Sequence, residues 1–159
     1  MSIKKIAYST DFSDHAEDAF ESALDLARKY EASLHIIHVV PPMVNPMLTD
    51  ATSEVASFEP EIEPEPSFMQ KIEQQMNQMY KDRIGNIECE FVVLSGHVST
   101  EIVKCLEEKS IDLVVMGSYG MAGVGLVVFG SVAKRVSHKA PCSVMIVRKP
   151  DRTYDNLSD

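Results

Sequence analysis

The sequence is poor in several features that mark particular protein classes. Its three cysteines are odd in number, lie far apart and form no Cys-x2-Cys or Cys/His spacing, so neither a disulfide framework nor a zinc site is indicated. No apolar run is long enough to cross a bilayer, and residues 1–15 lack the apolar core of a signal peptide. We therefore expect a cytoplasmic protein, and its 159 residues favour a single domain.

Positive charge is also scarce. The 15 Lys and Arg residues stand against 24 Asp and Glu residues, which gives a formal net charge of −9. A protein that neutralises nucleic-acid phosphates needs a basic face, so this balance argues against nucleic acid as the main partner. It leaves room for a mononucleotide, because local backbone dipoles can bind its phosphates.

Glycine is sparse but concentrated in one place. Five of the seven glycines lie within residues 117–131, which form the sequence GSYGMAGVGLVVFGS. The apolar run 113–116 before this stretch predicts a strand, and the spacing of 132–136 after it predicts a helix. A strand, a glycine-rich turn and a helix start can together present free N–H groups and a helix dipole to a phosphate. The stretch therefore predicts a phosphate-binding loop, with a flexible loop that binds no ligand as the alternative.

The common nucleotide and catalytic motifs are absent. The third glycine of Gly-x-Gly-x2-Gly is missing, and Ser131 stands where the lysine of a P-loop belongs. The chain contains neither a Gly-x-Ser-x-Gly elbow nor a His-Glu-x2-His motif. The glycine-rich stretch is therefore neither a Rossmann fingerprint nor a Walker site.

Apolar patterning predicts strands that alternate with helices. The predicted strands cover 3–9, 33–40, 88–94, 113–116 and 143–148. Helical spacing covers 16–30, 68–84, 101–106 and 132–136, with Ser13 as N-cap of the first helix and Ser99 or Thr100 as N-cap of the third. This alternation predicts an α/β fold with a mainly parallel sheet and right-handed crossovers.

Two segments fall outside this pattern. Residues 41–66 hold six prolines and five glutamates, and their run EPEIEPEP excludes a helix or a central strand. We expect a solvated excursion there, with an acidic docking arm as the functional alternative. The polar tail 150–159 is expected to fray, so the domain would span 1–149.

Several segments follow one another in the order that is typical of universal stress proteins. They are Gly117-x2-Gly120-x9-Gly130-Ser131 and residues 4–6, 9–13, 38–40, 133–136 and 140–144. The chain resembles this family over almost everything outside 41–66. The resemblance implies the adenine nucleotide alpha hydrolase-like fold, with five strands in the order 3-2-1-4-5 and helices on both faces. The glycine pattern is similar to that of the branch that binds ATP.

The resemblance also implies where an adenine nucleotide would bind. Asp11 would accept a hydrogen bond from the ribose or the adenine edge, and Val39 would offer backbone polar groups and apolar surface to adenine. Met116 and Gly117 would line the floor, where the loops after strands one and four meet. The implied site residues are Ser9, Thr10, Asp11, Val39, Met116, Gly117, Gly120, Met121, Gly130, Ser131 and Val132.

The phosphates would lie against Gly120, Gly130 and Ser131. Family members often carry arginine where this chain has Met121. Without that cation, the negative charge of the phosphates would be stabilised by backbone N–H groups, by Ser118 and Ser131, or by a divalent ion such as Mg²⁺. The ligand implied by the resemblance is ATP, with ADP and AMP as alternatives.

Three functions are consistent with this resemblance. The first is a cytoplasmic stress-response regulator in which the adenine nucleotide changes binding to a protein partner. The second is an interaction module of the same fold that needs no nucleotide. The third is a slow ATPase, although the chain has no Walker lysine and no arginine within the glycine stretch. No catalytic residue is assigned.

The fifth strand predicts a homodimer. In the order 3-2-1-4-5 it lies at the sheet edge, and residues 144–147 are apolar on both faces. Such an edge is a template for pairing with another chain, and the family resemblance also implies dimers through this strand. Coverage of the edge by the last helix or by the tail is the alternative.

The five histidines show no metal-ligand spacing. Packing or a backbone hydrogen bond is the simplest interpretation of His35 and His38, which lie within and at the end of the second strand. His97 follows Gly96 at a strand end, where a ligand could pass, although a structural role is the simpler interpretation.

Overall fold

The computed structural model describes residues 2–43, 62–118 and 130–148. Most of the acidic segment, most of the glycine-rich stretch and the C-terminal tail lie outside these ranges. In chain order the elements are β1 (Lys5–Ser9), α1 (Asp14–Tyr30), β2 (Ser33–Val40), α2 (Pro66–Ile84), β3 (Cys89–Ser95), α3 (Val98–Glu108), β4 (Leu113–Gly117), α4 (Ser131–Lys139) and β5 (Ser143–Val147).

The five strands form one sheet in the order β3-β2-β1-β4-β5, and every neighbouring pair is parallel. Helices α1 and α2 pack on one face, where Phe20 and Tyr80 are fully or almost fully buried. Helices α3 and α4 pack on the other face, around Ile102 and Val136. The α/β class, the strand order and the placement of helices on both faces are thus confirmed.

Helix α1 begins as the sequence predicts. The Oγ of Ser13 accepts a hydrogen bond from the N–H of Ala16 at 3.3 Å, which satisfies one donor of the first turn. The buried face of α1 is rich in alanine, and small side chains let a helix lie close to the sheet. The helix ends at Glu31, whose φ of 51° is the left-handed conformation common after a helix C-terminus.

All four helices start before their predicted bounds, and α3 and α4 differ most. Gly96, at a φ of 133°, turns the chain early enough for α3 to begin at Val98, with His97 at the N-cap position. Ser99 and Thr100 were the predicted caps, but both lie inside the helix. Helix α4 continues to Lys139, beyond the predicted 132–136. It ends there because Ala140, the residue before the proline at 141, has an extended backbone conformation.

The ends of the acidic segment have some order. Met43 and Ile62 form an isolated antiparallel bridge, which brings the start of the segment near its end. Pro66 is the first residue of α2, a position that tolerates proline because the N–H there has no helical partner. The predicted solvated excursion over 41–66 lies outside the described residues from 44 to 61, as does the predicted frayed tail; at its last residue the prediction was wrong, because Pro66 belongs to α2.

Candidate functional site

The carboxyl ends of β1 and β4 lie side by side at the middle of the sheet. Ser9, the last residue of β1, pairs with Met116 of β4. In the sheet, β2 and β3 lie on one side of β1, and β4 and β5 lie on its other side. The strand order therefore reverses between β1 and β4. Ligands of open α/β sheets bind at such a reversal, outside the carboxyl ends of the strands. The strand ends from which the two loops leave are therefore neighbours, as the predicted strand order requires.

The loop after β1 is held from several directions at Thr10. Its N–H donates to the carbonyl oxygen of Ile37 at 2.9 Å, and its Oγ1 accepts from the N–H of Phe12 at 3.0 Å. The same Oγ1 lies 3.2 Å from the hydroxyl of Tyr80, which reaches it from α2. Thr10 is only 4% exposed, so its side chain shapes the loop from below rather than lining an open surface.

His38 fixes the same loop from the side. Its Nδ1 donates to the carbonyl oxygen of Thr10 at 2.8 Å, and its ring lies 4.4 Å from that of Phe12, centroid to centroid. Because a carbonyl can only accept, Nδ1 carries the proton. Burial lowers the pKa of His38, against the opposing effects of the Thr10 hydrogen bond and the Asp11 carboxylate. The backbone hydrogen bond predicted for this histidine is therefore present, and it supports the site.

Asp11 has a role that the sequence reasoning missed. Its Oδ1 accepts a hydrogen bond from the N–H of Ser13 at 3.0 Å. An aspartate that bonds the backbone two residues later forms an Asx-turn, and here that turn leads directly into α1. The Asp-x-Ser spacing was the available signal. One carboxylate oxygen thus orders the loop, and the predicted contact with ribose or adenine stays a prediction.

The side chains of Val39 and Met116 are more buried than their predicted roles in lining the site suggest. Both side chains belong to the core between the sheet and α3 and α4, and they are 5% and 4% exposed. Little apolar side-chain surface is left for an adenine ring. Backbone groups at the strand ends are the part of these residues that a ligand could reach.

Gly117 is needed for packing. A Cβ at this position would lie 2.8 Å from the backbone carbonyl oxygen of His15, in the first turn of α1. Real Cβ atoms do not come this close to another atom. The contact would involve a backbone oxygen, which cannot move aside as the end of a flexible side chain could. The glycine therefore lets α1 approach the end of β4, a reason that its place in the motif did not reveal.

The two described ends of the glycine-rich stretch meet. The N–H of Gly130 donates to the carbonyl oxygen of Ser118 at 2.7 Å, and the N–H of Ser118 donates to Val147 at 2.9 Å. Gly130 occupies the N-cap position of α4, which begins at Ser131, and supplies no side-chain cap. Gly120 and Met121 lie outside the described residues.

A cleft of ≈ 190 Å³ opens next to these residues. It contains two predicted site residues, Ser131 and Val132, both from the first turn of α4. The remaining lining follows β2 at Pro41 and Pro42, follows β3 at Gly96 and His97, and belongs to the first turn of α3 at Val98 and Ser99 and to α4 at Arg135. None of these residues was predicted as a site residue, and a structural role was the simpler interpretation of His97; the available signal is a position after a strand or in the first turns of α3 and α4.

The described residues contain no group of three or more His, Cys, Asp or Glu side chains that could hold a metal ion. Within the same ranges, no helix is both long and apolar enough to cross a membrane.

The family model that describes the universal stress protein family matches residues 2–148. The chain belongs to the universal stress protein family. Universal stress protein MJ0531 of Methanocaldococcus jannaschii is 33% identical to it over 152 residues, which cover 94% of this chain and 84% of the relative. Universal stress protein YxiE of Bacillus subtilis is 30% identical over 153 residues, which cover 91% and 98%.

Solved structures share the fold of this universal stress protein. The structure of MJ0577, from the same archaeon as MJ0531, matches with a TM-score of 0.72 at 25% identity and covers 95% of this chain and 99% of its own. A universal stress protein in complex with cAMP gives 0.65 at 21% identity, covering 93% and 98%. One from Archaeoglobus fulgidus in complex with dAMP gives 0.62 at 21% identity, covering 92% and 98%.

Proposed function

We propose that residues 1–149 form one domain that binds an adenine nucleotide, with ATP as the preferred ligand, where the loops after β1 and β4 meet. The observation that carries the proposal is the hydrogen bond between Gly130 and Ser118. It brings the last glycine of the Gly-x2-Gly-x9-Gly-Ser pattern to the end of β4, beside the loop that holds Asp11.

The residues at this point fit a phosphate. Gly130 has no side chain to fill the space before α4, and the first N–H groups of a helix have no acceptor in the preceding turn. The hydroxyl of Ser131 is exposed at the same place. Backbone N–H groups at a helix start bind phosphate without requiring a basic protein, which agrees with the net charge of −9.

The choice of an adenine nucleotide rests on the fold and on its relatives. The related structures with cAMP and with dAMP hold two ligands that share adenine and a phosphate. Their sugars and phosphate linkages differ, so adenine with at least one phosphate is the common chemistry. ATP, with or without Mg²⁺, is the specific ligand that we propose for this chain on the strength of its glycine pattern.

We further propose that the protein acts in the cytoplasm as a stress-response regulator rather than as an efficient enzyme. Nucleotide binding would change the surface that the carboxyl ends of the strands offer to a protein partner. Slow hydrolysis and a nucleotide-independent module are the alternatives.

A homodimer through β5 completes the proposal. This strand lies at the edge of the sheet, and Met145 is 38% exposed on it. Two-fold pairing of the strand with its copy would satisfy both edges and leave none for further growth.

The decisive experiment identifies the small molecule that purified protein releases on denaturation, by chromatography and mass spectrometry. Titration calorimetry of ligand-free protein with ATP, ADP and AMP, with Mg²⁺ and with EDTA, then gives the preference. An adenine nucleotide that is both released and rebound supports the proposal. Absence of release together with absence of binding would favour the nucleotide-independent module, and an ADP/ATP ratio that rises during incubation would favour the ATPase.

A further inference from the structure

We propose that Arg135 is the cation that contacts the phosphate of the bound nucleotide, and that His97 positions it. This inference rests on the proposed function, because it names a further contact of the same site. The sequence from 110 to 133 contains no Lys or Arg, so the glycine-rich stretch brings no positive charge of its own. Lys134 and Arg135 are the first basic residues after it.

Geometry distinguishes Arg135 from its neighbour. Residues four apart on a helix lie on the same face, so Arg135 lies one turn below Ser131. Both line the ≈ 190 Å³ cleft, whereas Lys134 does not. Arg135 and Lys134 are both exposed, but only Arg135 lines the cleft.

The guanidinium of Arg135 is held by a neutral imidazole. Its Nη1 lies 3.0 Å from Nε2 of His97. Arginine can only donate, so Nε2 accepts and the proton of His97 resides on Nδ1. That Nδ1 lies 3.3 Å from Oγ of Ser99 and 3.2 Å from Oγ1 of Thr100, either of which can accept from it. His97, at the N-cap position of α3, thereby holds the guanidinium of Arg135 on α4.

Among the residues that the structure describes, no acidic side chain pairs with Arg135. Within the described residues, Arg28 and Arg83 pair with carboxylates, but Arg135 forms no such ion pair. Holding a guanidinium by one imidazole nitrogen leaves other N–H groups for an anion. A guanidinium can bind a phosphate through two parallel hydrogen bonds, which gives the contact both strength and direction.

The size and chemistry of the cleft suit part of a nucleotide. Pockets that enclose a whole drug-sized ligand measure roughly 300–1,000 Å³, which is larger than this cleft. Its polar side comprises Arg135, His97 and the hydroxyls of Ser99 and Ser131. A phosphate seated there would also lie close to the first N–H groups of α4, since Ser131 and Val132 line the cleft.

The test compares Arg135→Gln with Lys134→Gln, two variants that remove the same charge from adjacent exposed positions of α4. Calorimetry with ATP, AMP and adenosine should show that Arg135→Gln weakens both phosphorylated ligands by roughly tenfold or more and leaves adenosine unchanged. Lys134→Gln should bind all three as the wild type does. Equal losses in the two variants, or a loss for adenosine, would overturn the assignment. Circular dichroism and thermal unfolding verify that each variant is folded.

The positioning role of His97 has its own readout. His97→Ala should weaken ATP less than Arg135→Gln does, and the double variant should bind as Arg135→Gln alone. Arg135→Lys should recover part of the affinity, since it restores the charge without the planar fork. Additive losses in the double variant would show that His97 acts independently of Arg135.

The outcomes separate this inference from the proposed function. If the wild type binds no adenine nucleotide, both are wrong. If the wild type binds ATP and Arg135→Gln binds it equally well, the proposed function stands and Arg135 is not its phosphate contact.

Discussion

The backbone carbonyl oxygen of His15 lies 2.8 Å from the point that a Cβ on Gly117 would occupy. The first turn of α1 is therefore seated directly on the end of β4. Gly130, thirteen residues later in the same motif, has a φ of −63° and a ψ of 155°, a conformation that any residue can adopt. The two glycines of one motif therefore differ: Gly117 is required by the packing of α1, whereas Gly130 is proposed to keep space open for a phosphate.

Gly117→Ala should destabilise the fold. The added methyl group forces α1 away from β4, and overpacking of this kind typically costs about 1–3 kcal/mol. Urea denaturation measures the change in the free energy of unfolding. Gly130→Ala is the matched control and should unfold at nearly the wild-type urea concentration; equal losses in the two variants would contradict the distinction.

Gly130→Val should abolish nucleotide binding while the protein stays folded. Its backbone conformation suits valine, but the branched side chain would fill the space before α4 where we place the phosphates. Calorimetric titration with ATP and Mg²⁺ is the measurement, with circular dichroism as the check on folding. A folded variant that binds ATP like the wild type would remove the glycine-rich stretch from the mechanism.

Asp11→Ala should weaken ATP and AMP by the same amount, about 1–3 kcal/mol, because its carboxylate is proposed to accept from ribose or adenine. Asp11→Asn is the informative companion, since its side-chain oxygen can still accept from the N–H of Ser13 and keep the turn. It should lose less affinity than the alanine variant. A loss confined to ATP would place Asp11 at the phosphates or at a metal ion instead.

Ile146→Pro should convert the proposed homodimer to a monomer. The N–H of Ser143 donates to Asp112 and the carbonyl of Val147 accepts from Ser118, so the odd-numbered residues of β5 bond inward to the β4 side. The N–H of Ile146 consequently points outward, and proline removes a donor for the partner without breaking the β4–β5 ladder. Light scattering gives the mass. A wild type that is monomeric at micromolar concentration, or a proline variant that stays dimeric, would place any interface elsewhere.

Stability should fall as the pH drops below neutrality, in part through His38. Burial lowers the pKa of His38 in the folded protein, below the value of about 6.5 of an exposed histidine. As the pH falls past that value, the unfolded chain takes up the proton first, so the free energy of unfolding decreases. Burial lowers the pKa of His35 as well, which adds a separate contribution. Urea denaturation at pH 7 and pH 5 should show a smaller decrease for His38→Gln than for the wild type; an unchanged decrease would exclude His38 as a contributor.

Local patterns in the sequence predicted most of the elements, because apolar periodicity reflects which face each segment buries. Helix bounds were predicted less accurately where a single turn of the backbone decides where the helix begins. The predicted cap of α3 was Ser99 or Thr100, but the turn at Gly96 begins the helix at Val98. The strand order came from the family resemblance, since periodicity carries no information about which strands are neighbours.

The candidate site was less accessible to sequence reasoning, because its supports come from distant parts of the chain. The hydroxyl of Tyr80 reaches Thr10 across 70 positions, and the contact between His97 and Arg135 spans 38. No local pattern encodes either contact. The proposed contact of Asp11 with a nucleotide rests on the resemblance, whereas the packing role of Gly117 required coordinates.

The central position of β1 has a consequence for how the chain is made. This strand is the first to be translated, yet its second neighbour, β4, begins more than 100 residues later, with Ile6 opposite Leu113. At a synthesis rate of roughly 5–20 residues per second, one side of β1 waits on the order of 5–20 s for its partner. Through that interval the growing polypeptide exposes an open strand at its centre to chaperones and to mispairing with neighbouring nascent chains. The carboxyl ends of β1 and β4 cannot come together until it ends.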